Sequence, residues 1–116
     1  MTGLKAKEVM VSESAANALA GLESRTDAEA SSIVRRVRSF RTLLVEDCLH
    51  GEVVRKSAIP ATLVSRYQVQ NLYVEDLPAF WRLLYTILKN RGERFVVVLE
   101  IVDHRSYSRW FPGRRR

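Results

Sequence analysis

One cysteine, two histidines and three prolines in 116 residues exclude several common kinds of protein. Cys48 alone cannot staple a secreted mini-protein, so a reducing, cytoplasmic setting is expected. Residues 48, 50 and 104 hold the only cysteine and histidines, a scatter unlike a structural zinc site, so no metal or cofactor is expected. The longest apolar run, Phe95-Val96-Val97-Val98-Leu99, falls far short of the roughly 20 residues a membrane helix needs. The start, Met1-Thr2-Gly3-Leu4-Lys5, lacks the apolar stretch and cleavage site of a signal peptide. No Ser-His-Asp or Walker pattern occurs. With five glycines, 47% hydrophobic and 28% charged residues, the chain has the composition of a folded protein, ordered except at its two ends.

What is present is a size for one modest core and an excess of positive charge. The reading is one domain over residues 1–113 with a loose basic tail at 114–116. Nineteen Lys and Arg against thirteen Asp and Glu leave a formal charge of +6, and arginine clearly outnumbers lysine. Arginine's planar fork binds phosphate bidentately and stacks on bases, which suits a nucleic-acid partner. A solubilising surface, or the arginine habit of a high-GC or heat-adapted genome, accounts for the same composition.

Periodicity predicts an α+β order. Lys5 to Val11 reads as a strand, and Ser12 as the cap of a helix over roughly 13–22 whose Ala15, Ala16, Leu19 and Leu22 form one stripe. Thr26-Asp27-Ala28-Glu29 fits a capping box, followed by Ile33, Val37, Phe40 and Leu44 at core-facing spacing. Arg35, Arg36, Arg38 and Arg41 take the other faces, and Gly51 is expected as a left-handed stop. Gly51 to Ile59 reads as extended and basic, and Pro60 as the start of a helical turn through Ser65. Strands are predicted at Tyr67–Val74, Phe80–Leu88 and Phe95–Val102, with a polar hairpin at Lys89–Glu93 and a short helix ended by Pro112-Gly113. The order is β-α-α-β-β-β plus a short C-terminal helix. One small, mostly antiparallel sheet would carry the helical hairpin on one face and leave the other face open to a ligand.

Two stretches in the second half resemble a known family. Phe80-Trp81-Arg82-Leu83-Leu84-Tyr85-Thr86-Ile87, followed by Val97-Val98-Leu99-Glu100-Ile101-Val102-Asp103-His104-Arg105-Ser106-Tyr107, is similar to the C-terminal half of RelE/ParE superfamily toxins. In that family an aromatic-Arg-hydrophobic-hydrophobic-Tyr strand pairs with a Val/Ile-rich strand ending in a basic step, with a tyrosine shortly after. Gly51-Glu52-Val53-Val54-Arg55-Lys56 resembles the family's segment between second helix and sheet. The resemblance implies a RelE/ParE-like fold and a toxin of a type II toxin–antitoxin system. It implies ribosome-dependent, metal-free cleavage of mRNA in the A site and neutralisation by a cognate antitoxin protein. A ParE-like toxin that inhibits gyrase, or a non-catalytic RNA-binding protein on the same fold, remains an alternative. The sequence departs from the family at two places. RelE-type enzymes carry lysines on the strand before the conserved arginine, and Tyr67–Val74 has none; the segment between Lys56 and Tyr67 is also longer than usual.

The catalytic site expected on this basis is Arg82, His104, Arg105 and Tyr107, with Arg55, Lys56, Arg66 and Tyr73 contacting RNA. RNA cleavage without a metal needs a group to take the 2′-hydroxyl proton, one to protonate the 5′-oxygen, and positive charge for the phosphorane. His104 suits proton transfer at neutral pH; otherwise it is a strand-end histidine bonded to Asp103. Arg82 would clamp the phosphate, or else pair with Glu100 or Asp103. Tyr107 would donate a proton or stack on a base, or else pack the terminal helix. Trp81, Tyr85, Trp110 and Phe111 are assigned to the core, Arg55 and Lys56 to phosphates or a solvated edge, and Cys48 to a small buried position.

Overall fold

The computed structural model describes residues 3–113, so the basic tail expected at 114–116 lies outside the described residues. Alternating apolar residues build its centre. β4 (Arg82–Asn90) and β5 (Glu93–Val102) form an antiparallel hairpin around the two-residue turn Arg91-Gly92. Both turn residues have positive φ, 54° and 83°, the combination that matches the twist of two-residue hairpins. β1 (Glu8–Val11) runs parallel to β5, while β3 (Tyr73–Asp76) is antiparallel to β4 and the two-residue β2 (Glu52–Val53) antiparallel to β3. The sheet is mixed, in the order β1-β5-β4-β3-β2.

Two helices cover one face. α1 (Glu13–Glu23) starts at Ser12, whose hydroxyl accepts from the Ala15 N–H at 3.1 Å and donates to the Leu99 carbonyl at 2.6 Å. One side chain thus caps a helix and ties it to the sheet. α2 (Ala28–Glu46) buries Ile33, Val37, Phe40 and Leu44, the stripe expected from spacing, against Leu83, Tyr85, Val96, Val98 and Ile101. Its cap is Asp27 rather than Thr26: the carboxylate accepts from the Ala30 N–H at 3.1 Å and pairs with Arg25, which holds it at about 2. The helix ends at Glu46, before the expected stop, and Gly51 has no left-handed conformation to supply. Gly51 is needed for close approach instead. A β-carbon there would sit 2.9 Å from the Tyr85 ring and 3.0 Å from the Val74 carbonyl oxygen.

The other face departs most from expectation. It is not open. The long segment after Lys56 folds as a 3-10 turn (Lys56–Ala58) and α3 (Ala61–Tyr67), and the chain ends in α4 (His104–Trp110). A second core lies under these pieces, with Leu63, Leu72, Leu84, Leu99, Tyr107 and Phe111 fully or almost fully buried. The strand expected at Tyr67–Val74 forms only at Tyr73 and Val74, because Tyr67 ends α3 and Gln68 turns left-handed at φ 57°. Val69 and Leu72, within the stretch whose overall pattern mimicked a strand, fill the second core from a loop. In that loop the Asn71 side chain takes the place of strand backbone: its amide donates to the Ile87 carbonyl at 2.9 Å and accepts from the Ile87 N–H at 2.8 Å. The pairing strand begins only at Tyr73 and runs on through Glu75 and Asp76, past the end of the expected strand. Among the described residues no helix is long and apolar enough to cross a membrane.

Candidate functional site at the end of the sheet

Register brings the end of β3, the start of β4 and the end of β5 together, with Asp76 opposite Arg82 and Arg82 opposite Val102. Arg82 is 3% exposed on the face of the second core. A charge so buried must be compensated, and among the described residues these groups help to do so. Its Nε lies 3.1 Å from Asp76 Oδ1, its Nη1 donates to the Trp81 carbonyl at 3.1 Å, and its guanidinium stands 4.9 Å from the centre of the Tyr107 ring. The carboxylate partner is therefore Asp76, not Glu100 or Asp103. The reason is positional, since cross-strand partners project from the same face at short range.

α4 supplies the remaining site residues. Asp103 caps it by accepting from the Ser106 N–H at 2.9 Å, a bond that holds the carboxyl below its ordinary range. Asp103 is thus engaged with backbone and not with the imidazole, contrary to the structural role considered for His104. His104 is the first helical residue and is exposed; its Nε2 lies 3.5 Å from Ser108 Oγ. Its ring centre is 5.9 Å from that of Phe80, an exposed aromatic in the loop before β4. Arg105 is exposed beside it. Tyr107 is buried, packs on Phe111 at 4.8 Å and stands against Arg82, so it anchors α4. A shallow cleft between Asp76, Leu77, Phe80 and Arg82 opens at this end of the sheet.

The residues expected to contact RNA do not gather here. Arg55 and Lys56 are exposed beyond β2, at one edge of the sheet. Tyr73 lies on the helical-hairpin face, stacked on Tyr85 at 5.2 Å. Arg66 donates to Glu100 Oε2 at 2.8 Å, and Glu100 also accepts from the Tyr67 hydroxyl at 2.6 Å and from Ser14 at 2.7 Å. This network sits at a β-bulge, where the register slips so that Leu84 opposes Glu100 and Tyr85 opposes Val98. The bulge turns Glu100 into the second core, and α1 and α3 each supply donors that satisfy it. Trp81, Tyr85, Trp110 and Phe111 pack in or against the two cores, as assigned.

Sequence reasoning missed a second titratable pair. His50 Nδ1 lies 2.7 Å from Glu75 Oε2, and Glu75 is 6% exposed. Burial pushes the Glu75 carboxyl above its ordinary value, while the bond to His50 pulls the other way. The signal was the Tyr73-Val74-Glu75-Asp76 alternation, which continues a strand past its polar residues. Nearby, the Tyr85 hydroxyl donates to the Cys48 carbonyl at 2.7 Å and accepts from the Gly51 N–H at 3.0 Å. Burial raises the Cys48 thiol, the opposite of what a nucleophilic cysteine needs. Among the described residues no three His, Cys, Asp or Glu side chains converge as metal ligands would. Compared with protein-family models, with curated proteins and with solved structures, the chain gives no match.

Proposed function

We propose that this chain is a toxin of the RelE/ParE type that cleaves mRNA on the ribosome without a metal and is neutralised by a cognate antitoxin protein. The observation that carries the reading is the meeting of a held arginine, an exposed histidine and an exposed aromatic at one end of the sheet. The attacking 2′-oxygen would form a bond to phosphorus as the bond to the 5′-oxygen breaks, with protons leaving the first oxygen and reaching the second. His104, exposed at the start of α4, is the group positioned to move a proton. Arg82, bordering the cleft and held by Asp76 and Tyr107, provides oriented positive charge for the phosphorane. Arg105 adds charge at the rim. The net charge of +6 favours approach to an RNA-rich particle.

The rival reading on the same resemblance is a binding toxin that inhibits gyrase. Two observations favour it: Tyr107 is buried, and no lysine stands on the segment before β4. Translating ribosomes distinguish the two. With the parent protein, primer extension along an mRNA is expected to reveal discrete A-site cuts. His104→Gln should keep the fold and lower cleavage by roughly 10²–10⁴-fold, the usual contribution of a positioned acid or base. Intact mRNA together with inhibited gyrase supercoiling would overturn the ribonuclease reading. Parent-level cutting by His104→Gln would make the histidine structural.

A further inference from the structure

The loop joining β3 to β4 contains, among the described residues, a pair of adjacent non-glycine residues with positive φ. Ala79 and Phe80 are consecutive non-glycine residues with φ of 60° and 64°, a region in which a β-carbon is penalised and which glycine enters freely. The loop is held there from both sides. Leu77 is buried in the first core and its N–H donates to the Trp81 carbonyl at 2.9 Å, and the Trp81 N–H donates back to the Pro78 carbonyl at 3.3 Å. Such a backbone persists only where its surroundings over-determine it. Its product is an aromatic ring held in solvent. Phe80 is 66% exposed, the most exposed large hydrophobic residue among those described. Core packing accounts for neither the strain nor the exposure.

The ring's neighbours indicate what it meets. The His104 imidazole is one, with ring centres 5.9 Å apart, and the ring also lines the cleft shared with Asp76, Leu77 and Arg82. We infer that Phe80 is a stacking platform for an unpaired RNA base, holding the nucleotide beside the His104–Arg82 end of the sheet. An unstacked base offers a flat apolar face to an aromatic ring, and the charge beside it suits the attached phosphate. Purines offer the widest such face, so adenine is the appropriate probe. This inference rests on the ribonuclease reading for its substrate class and adds to it a residue that positions the substrate.

The test is a titration of the whole protein with short oligoadenylate containing one 2-aminopurine, at low salt. The parent should quench the probe as the base stacks. Phe80→Gly should abolish the quench and weaken binding roughly 10-fold, the usual loss for one stacking ring. Phe80→Trp should restore both. Because glycine suits φ of 64°, Phe80→Gly should melt no lower than the parent, which separates lost binding from lost fold. Phe80→Gly affinity within twofold of the parent would overturn the platform and assign the ring to a protein contact. A clearly lowered melting temperature would overturn it too, by making the ring structural. Cleavage on ribosomes, measured on the same proteins, keeps the two readings apart. Phe80-dependent binding without cleavage would sink the ribonuclease reading and keep the platform. Cleavage unchanged in Phe80→Gly would do the reverse.

Discussion

The two faces of the sheet are covered by opposite strategies. On one, the 19-residue α2 lays a regular stripe across β4 and β5, and α1 completes the layer. Among the described residues its buried charge is Glu75, which His50 meets at 2.7 Å. On the other, two seven-residue helices and a loop share the task. Helices that short do not hold together alone. They persist because each is anchored by buried side chains, Leu63 from α3 and Tyr107 from α4, and by a polar tie to the sheet. Those ties are Arg66 and Tyr67 on Glu100, and Arg82 against Tyr107. The first face is stabilised mainly by apolar area, and the second depends on buried charge being fully partnered. The candidate site lies at the end of the second face, where a partnered arginine already has to exist for the fold.

Three measurements sharpen or break this contrast. Phe40→Ala should cost about 3–5 kcal/mol in denaturant melts, because a rigid long helix cannot collapse onto the cavity. Leu63→Ala, on the patchwork face, should fall near the low end of the leucine range, about 2–3 kcal/mol, because a two-turn helix relaxes more easily. Equal losses would mean that the two faces are equally rigid. Tyr67→Phe comes next, at about 1–2 kcal/mol, since it removes one donor from buried Glu100 and leaves Arg66 and Ser14 in place. No measurable loss would show that the polar ties do not hold the second face.

The smallest effect concerns pH and the hairpin face. Burial raises Glu75 above its ordinary 4.5, so the folded chain holds this proton more tightly than the unfolded chain. Stability from this group is therefore full below about 4.5 and is lost as pH rises through the raised value. Glu75→Gln should remove that decline, so the difference in stability between variant and parent grows in the variant's favour from about pH 4.5 towards neutrality. A flat difference across that window would mean that His50 fully offsets the burial.

Legibility followed element length. Ile33, Val37, Phe40 and Leu44 announced α2 because about three turns repeat the same spacing, and Leu83 with Tyr85 announced the buried face of β4. Ser12 was readable as a cap because its role is local. α3 was legible only as a turn after Pro60, and the pattern of Tyr67 to Val74 passed for a strand, since a loop filling a core also buries apolar residues at short intervals. The candidate site was legible in part. Arg82, His104, Arg105 and Tyr107 were expected from the family resemblance of their stretch, whereas Asp76, Phe80 and the His50–Glu75 pair were not.

The sequence by itself determined the α+β class, the helical hairpin, the central β4–β5 pair and the basic charge, because periodicity and composition act within a few residues of one another. Only the tertiary structure decided which carboxylate holds Arg82, that the second face is closed, and that Phe80 stands exposed beside His104. Those outcomes depend on strand register, a bulge and the docking of two short helices. Each joins residues distant along the chain, and nothing in local spacing encodes which distant partner a buried charge will meet.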